Sequence, residues 1–181
     1  MMMEMIKGGG TEPNPPNWPS GVYVFDPTTP SYTQSIVDEA YASNGGHDPA
    51  FNGQWSTNRY AFLFKPGMHN VRVNVGYYTS VIGLGTNPKD TNIEHIVCEN
   101  GDYDYSGGAL SNFWRSVENV YTKPTLMWNN EGEPTMLWAV SQAAPIRRVY
   151  VEGNLDLWEY TYGCCGGYAS GGYMSKVVVT G

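Results

Sequence analysis

The chain has 181 residues, including 22 glycines and 12 prolines, a combined share well above the average of about 12%. This composition argues against a helical bundle, and the 14% of aromatic residues argue against disorder. With 17 acidic against 10 basic residues, the net charge is −7, which excludes the basic surface of a nucleic-acid binder. No apolar run approaches the roughly 20 residues of a membrane span.

The first 20 residues are predicted to be a leader and a flexible segment. The opening MMMEMIKGGG has no apolar core, so it is not a signal peptide. Pro, Gly and Asn dominate residues 8–20, which favours an extended chain. We therefore expect the secretion signal to lie outside this sequence and the folded domain to occupy residues 21–181.

A short strand and one helix follow. GVYVFDP at 21–27 predicts the strand, which Pro27 stops. Residues 31–43 predict the helix, because its apolar side chains recur on one face. Ser31 or Thr33 can cap its start, and Gly45-Gly46 can end it.

Beyond Arg59, short apolar strands alternate with turns, and a motif recurs. Each copy is a polar residue, then Asn, Arg or Lys, then a β-branched residue. The copies are Thr91-Asn92-Ile93, Glu118-Asn119-Val120, Arg147-Arg148-Val149 and Ser175-Lys176-Val177, and their β-branched residues lie 27, 29 and 28 positions apart. Such a period predicts stacked units. We expect an all-β fold, a right-handed single-stranded parallel β-helix (a solenoid with coils of about 28 residues) with an N-terminal capping helix. A β-sandwich is the alternative.

The sequence stops at VVVTG, residues 177–181, without a second capping element. A bare strand edge exposes unpaired backbone groups. We expect this domain to be the N-terminal part of a longer solenoid, or its C-terminal edge to be covered by a downstream domain or by self-association.

Several strings resemble the N-terminal region of a family of large secreted microbial β-helix proteins. They occupy residues 23–27, 57–67, 73–90, 112–120 and 137–157. Such proteins are often labelled "adenylyl cyclase" or "coagulation factor 5/8 type", although this sequence has no paired-Asp metal site or phosphate-binding loop to support a cyclase. The family is similar to pectate-lyase-3-like proteins and to the β-1,3-glucanases of glycoside hydrolase family 55. The resemblance implies a β-helix, an extracellular setting and a carbohydrate partner, and it carries no catalytic residue to any position here.

Aromatic residues are the main candidates for binding a polysaccharide. The 6 Trp and 14 Tyr exceed what a narrow solenoid interior holds, so large rings are predicted outside, where they can stack on sugar faces. The candidates are Trp128, Trp138, Trp158, Tyr77, Tyr78, Tyr103 and Tyr105. The alternative is that these rings pack under loops or against a downstream domain.

Acidic and histidine residues give weaker signals. Asp102 and Asp104 form a D-x-D that could hold Ca²⁺, but the EF-hand pattern fails and a solvated turn is favoured, so no cofactor is predicted. Carboxylates that could serve a glycosidase are Glu118, Glu152, Asp156 and Glu159. Outward solubilising charge is the favoured interpretation, because Glu118 and Glu152 flank the repeating strand. Arg115 and the Arg147-Arg148 pair could position acidic groups, although outward charges explain them as well. The histidines, His47, His69 and His95, lack metal-binding spacing.

The three cysteines leave two possibilities. Either all are free thiols, or Cys98 forms a disulfide with Cys164 or Cys165. The leading hypothesis for function is a secreted β-helix segment of a carbohydrate-active protein, which binds polysaccharide and lacks a complete active site. The alternatives are a structural or assembly module and an autonomous polysaccharide lyase or glycoside hydrolase.

Overall fold

The computed structural model describes residues 16–47, 49–99, 109–127, 133–161 and 165–181. These residues form one α-helix, one short 3₁₀ turn and thirteen short strands. The helix is α1 (Pro30–Asn44) and the turn is Pro88–Asp90. The strands are β1 (Val22–Phe25), β2 (Tyr60–Phe64), β3 (Gly67–Asn74), β4 (Thr79–Gly83), β5 (Thr91–Val97), β6 (Arg115–Thr122), β7 (Thr135–Leu137), β8 (Pro145–Val151), β9 (Asn154–Asp156), β10 (Tyr160–Thr161), β11 (Cys165–Gly166), β12 (Tyr173–Ser175) and β13 (Val178–Val179).

The predicted helix is confirmed, but its cap differs from the predicted one. Pro30 occupies the first turn, where its missing N–H is no loss. The N-cap is Thr29, which makes no side-chain capping bond, and the Thr33 hydroxyl donates to the Thr29 carbonyl at 3.0 Å. The helix packs against β3, an end strand of the main sheet.

The main sheet has nine strands, and every pairing in it is parallel. Strands β1, β2, β4, β6 and β8 neighbour one another in that order, and β12 and β13 both pair with β8. Strands β3 and β5 pair with each other, and β5 meets the second half of β6. A separate pair, β7 with β9, is also parallel, whereas the small β10–β11 pair is antiparallel. The mostly β, mostly parallel fold agrees with the sequence prediction.

In-register apolar rows fill the core. Phe62 pairs with Val81, Val81 with Val117, and Val117 with Ile146, and all four side chains are buried. Burying each such side chain contributes about 1.5–3 kcal/mol. The row ends at Met174 of β12, which is exposed, so the apolar ladder continues to the last strand without being covered there.

The recurring motif marks a bend inside the long strands. Asn119, Arg148 and Lys176 all have left-handed backbone, with φ of 55°, 54° and 54°. The residues before Asn119 pair with β4, and those after it pair with β5. The bend therefore redirects one strand into two successive pairings.

The predicted register holds for two of the three spacings. Val120 pairs with Val149, and Tyr150 pairs with Val178, as spacings of 29 and 28 require. The spacing from Ile93 is wrong, because Asn92 pairs with Tyr121, two positions beyond Asn119. In the first unit the Pro88–Asp90 turn stands between β4 and β5, so Asn92 lies within a strand and not at a bend.

None of the helices in the described part of the chain is long and apolar enough to cross a membrane. At the C-terminal edge, β12 and β13 expose several apolar side chains, namely Tyr173, Met174, Val178 and Val179. Whether another domain or another copy covers this edge stays a prediction, as do the domain boundaries.

Candidate functional site

A second row of left-handed residues lies at the bend before β4, β6 and β8. Tyr78, Trp114 and Ala143 have φ of 56°, 52° and 55°. The Tyr78 N–H donates to the Trp114 carbonyl at 2.6 Å, and the Arg115 N–H donates to the Ala143 carbonyl at 3.3 Å. These three residues are thus successive rungs, spaced like neighbouring strands at about 4.8 Å.

Aromatic and cationic side chains stack along this row. The Arg59 guanidinium lies 3.6 Å from the centre of the Tyr78 ring, a cation–π distance. The Tyr78 and Trp114 rings are nearly parallel, 7° apart with centres at 5.2 Å. Trp55 leans on Trp114 with ring centres 5.6 Å apart and is 78% exposed. We call Trp55, Arg59, Tyr78 and Trp114 the aromatic corner.

A groove of about 840 Å³ opens beside the aromatic corner. Its floor includes Val22, Ala61 and Ser80, which are in register on β1, β2 and β4. Its other lining residues come from 19–23, 57–60 and Tyr78. Small side chains on the floor leave room above these strands, and we call this feature the corner groove.

Arg115 supports the aromatic corner from inside. Its side chain is only 3% exposed, and one nitrogen donates to the Val75 carbonyl at 2.7 Å. The guanidinium also lies 4.8 Å from the centre of the Tyr77 ring and 3.5 Å from the Cys98 sulfur. Arg115 is therefore a structural residue, and the interpretation of Arg115 as an outward charge is wrong because its side chain is buried.

Cys98 is a buried, free thiol. Burial raises the pKa of this thiol, although the neighbouring Arg115 acts in the opposite direction. The structure therefore contains no disulfide at Cys98. Its proposed partners are Cys164, which lies outside the described residues, and Cys165 in β11.

Two of the predicted sugar-binding rings are buried and cannot stack on a sugar. Trp138 is 1% exposed, and its indole N–H donates to the Ala144 carbonyl at 3.2 Å. Tyr77 is equally buried beneath the aromatic corner. The reason is that the interior is wide enough for large rings, since Phe62 and Phe64 also lie wholly inside.

The other candidates fall into three groups. Tyr78 belongs to the aromatic corner, with Arg59 on one side of its ring and Trp114 on the other. Trp158 is 44% exposed and stays a candidate for a separate surface. Outside the described residues lie Trp128, Tyr103, Tyr105, Asp102 and Asp104.

Sequence reasoning missed Trp55, Arg59 and Trp114. Trp114 lies inside one of the strings that resemble the β-helix family, 112–120, and Arg59 lies inside another, 57–67. Those strings were the available signal, but no local pattern indicated that Arg59 and Trp114 would flank Tyr78 or that Trp55 would join them.

The carboxylates on the outer face are neutralised by cations. Glu118 accepts a hydrogen bond from Arg147. Glu152 accepts bonds from Lys123 at 2.8 Å and from Tyr121 at 2.9 Å, and these bonds lower its pKa. A glycosidase acid needs a raised pKa, so Glu152 is unsuited to that role. Within the described ranges, no three His, Cys, Asp or Glu side chains gather closely enough to hold a metal ion.

Comparison with known proteins identifies one homologous enzyme. No protein-family model matches the chain. The chain is 40% identical over 179 residues to an exo-β-1,3-glucanase from Streptomyces sp. (strain SirexAA-E / ActE), covering 98% of this chain and 25% of that protein. The structure of sacteLam55A from Streptomyces sp. SirexAA-E matches 88% of this chain with a TM-score of 0.70 and 40% identity, and this chain covers 26% of it.

A variant of sacteLam55A, refined as an ensemble in complex with glucose, matches 97% of the chain with a TM-score of 0.68 and 38% identity; the match covers 27% of that protein. These matches give no support to the cyclase or coagulation-factor labels. The chain thus spans about a quarter of the relatives it matches, and it is homologous in sequence and in fold to part of an exo-β-1,3-glucanase.

Proposed function

We propose that the chain is a segment of an extracellular carbohydrate-active protein of the glycoside hydrolase family 55 type, and that it binds β-1,3-glucan at the aromatic corner and corner groove. The observation that carries this proposal is the 40% identity to an exo-β-1,3-glucanase along 98% of the chain. The chain spans only a quarter of that enzyme. The role proposed for this segment is glucan binding without a complete active site of its own.

We also propose how the parallel strands wind in space. The parallel stacks wind as a right-handed single-stranded β-helix over residues 21–181, as in pectate-lyase-like proteins. Parallel pairing throughout the main sheet supports this arrangement. The register of 29 and then 28 residues between successive strands supports it further, since one coil of a solenoid advances one strand spacing.

The chemistry of the corner groove suits a neutral glucan. Arg59 is the one charged residue among its described lining residues, so the groove offers neither a cluster of cations for an acidic sugar nor a carboxylate. Trp55 presents an exposed indole to the C–H face of a pyranose ring. Arg59 and Ser80 supply hydrogen-bonding groups for sugar hydroxyls.

Depletion from solution by insoluble β-1,3-glucan tests the proposal. The unaltered protein should pellet with the glucan and release no oligosaccharide, and Trp55→Ala should weaken binding about tenfold, the equivalent of one aromatic contact. Met127→Ala, which truncates another exposed apolar side chain, should bind normally. Loss of binding in Trp158→Ala but not in Trp55→Ala would move the site to the Trp158 surface. Released oligosaccharides would show that the chain is an autonomous hydrolase or lyase.

A structural or assembly module is the second candidate function. The observation in its favour is the exposed apolar edge at β12 and β13. Light scattering that shows a mass rising with concentration, together with no glucan depletion, would favour this function.

A further inference from the structure

An Asn-Gly pair, Asn52-Gly53, lies in the loop that carries Trp55, residues 49–58, which contains no helix or strand. We call these residues the Trp55 loop. The backbone nitrogen of a glycine can attack the side chain of a preceding asparagine, because glycine has no Cβ to hinder the approach. Among the described residues no backbone carbonyl accepts a hydrogen bond from the Gly53 N–H, and Asn52 is half-buried. The attacking nitrogen is therefore not held in place by the backbone.

The Asn52 side chain ties the Trp55 loop to the end of α1. Its amide nitrogen donates to the Ala42 carbonyl at 2.5 Å, and its amide oxygen accepts from the Gly46 N–H at 2.5 Å. A donor at the amide oxygen stabilises the negative charge that develops there when a nucleophile attacks the carbonyl carbon. The contact with Gly46 that anchors the loop therefore also favours attack at the Asn52 side chain.

We propose that Asn52 is a site of spontaneous deamidation, which releases the Trp55 loop from α1. The Gly53 nitrogen loses its proton to hydroxide and bonds to the Asn52 Cγ. The bond from Cγ to the side-chain nitrogen breaks, and this nitrogen takes a proton from water and leaves as ammonia. Water then opens the resulting five-membered imide at either of its carbonyls, which gives aspartate or isoaspartate. The reaction needs only water and hydroxide.

Either product breaks the tie to α1. An aspartate carboxylate has no N–H to donate, so its oxygen would face the Ala42 carbonyl oxygen, and two acceptors repel each other. Isoaspartate lengthens the backbone by a methylene group immediately before Gly53, where a Cβ on Gly53 would already lie 2.3 Å from the Asn44 Cα. The Trp55 loop therefore moves away from α1, and Trp55 loses its fixed position against Trp114, whose ring centre lies 5.6 Å away.

A second Asn-Gly pair, Asn44-Gly45, provides an internal comparison. Asn44 is fully buried, and its amide nitrogen donates to the Tyr77 and Asn58 carbonyls at 3.0 and 3.3 Å. The Gly45 N–H donates to the Tyr41 carbonyl at 2.6 Å, so the attacking nitrogen is already bonded. Attack at this pair requires the end of α1 to open first, whereas attack in the Trp55 loop requires only a local change.

Peptide mapping of the unaltered chain after incubation at mildly alkaline pH tests the proposal. Aspartate and isoaspartate should form at Asn52 at least about tenfold faster than at Asn44. The rate should rise with pH, because hydroxide removes the Gly53 proton. Asn52→Gln should abolish the products at this position, because its longer side chain cannot close a five-membered ring. Asn100-Gly101, a pair outside the described residues, is scored separately in the same map.

The product variant Asn52→Asp tests the release of the loop. Chymotrypsin should cleave after Phe51 or Trp55 at least about tenfold faster than in the unaltered chain, because local opening limits cleavage of a folded loop. Ala50→Asp adds the same charge at an exposed position of the same loop and should be cleaved at the original rate. Equal deamidation at Asn52 and Asn44, or equal cleavage of Asn52→Asp and Ala50→Asp, would overturn the proposal. Neither measurement involves glucan, so either result leaves the proposed function untouched.

Discussion

Substitution of Asn119 tests how much its side-chain hydrogen bonds contribute to the bend in β6. Its amide nitrogen donates to the Gly83 carbonyl at 2.8 Å and to the Gly85 carbonyl at 2.7 Å. Its amide oxygen accepts two bonds from Arg148, at 3.2 and 3.1 Å. Replacing Asn119 by Gly removes all four bonds but keeps a residue that adopts left-handed backbone without strain.

The expected loss follows from these bonds. A buried hydrogen bond contributes about 0.5–1.5 kcal/mol net, and a carbonyl left unsatisfied costs more. Glycine also relieves the left-handed backbone strain, which offsets about 1 kcal/mol of the lost stability. We expect Asn119→Gly to lower the free energy of unfolding by about 2 kcal/mol and Asn119→Ala by about 3 kcal/mol, because alanine keeps the strain.

Urea unfolding with a shared m-value measures both variants, and the melting temperature should fall by about 6 °C in Asn119→Gly. Lys176→Gly is the matched control, since the exposed Lys176 has the same φ on the same row and should shift stability by less than about 0.5 kcal/mol. If Asn119→Gly proved as stable as the unaltered chain, backbone conformation alone would explain Asn119, and the hydrogen-bond reasoning would be refuted.

Three further predictions concern the helix, acid and the thiol. Gln34→Ala removes both hydrogen bonds to the Arg72 backbone at the β3 bulge and should cost about 2 kcal/mol in urea unfolding. Burial lowers the pKa of His69, so the unfolded chain binds the proton more readily. Stability should therefore be full above pH 6.5 and fall below it, with a smaller slope in His69→Gln. Iodoacetamide without reductant should label Cys98 only after unfolding; labelling that also requires reductant would mean a disulfide.

The sequence predicted the parts of the fold that local patterns specify. The helix ends within one residue of the predicted span, because its glycine terminator and its periodic apolar face are local signals. The register from Val149 to the last strand followed from equal spacing. The spacing predicted from Ile93 was wrong because the Pro88–Asp90 turn replaces the bend in that unit. Such a turn shifts the register of the strand that follows but leaves the sequence motif unchanged.

The aromatic corner was beyond sequence reasoning for a physical reason. Tyr78 and Trp114 are neighbours because Thr79 pairs with Arg115, 36 positions later, whereas the repeat has a period of about 28. The extra residues between β5 and β6 lengthen this unit. A constant period therefore places Trp114 on the wrong rung, and only the three-dimensional pairing brings its ring onto Tyr78.

The two rows of left-handed residues differ in how much the backbone conformation depends on the side chains. At the bend within β6 and β8, Asn119 and Arg148 bond to each other and to loop carbonyls, so side-chain identity there fixes the backbone. At the bend before these strands, the rungs include an aromatic residue and an alanine, Trp114 and Ala143, with the same φ. Because the backbone does not depend on these side chains, substitution along this second row can change the binding surface without changing the fold.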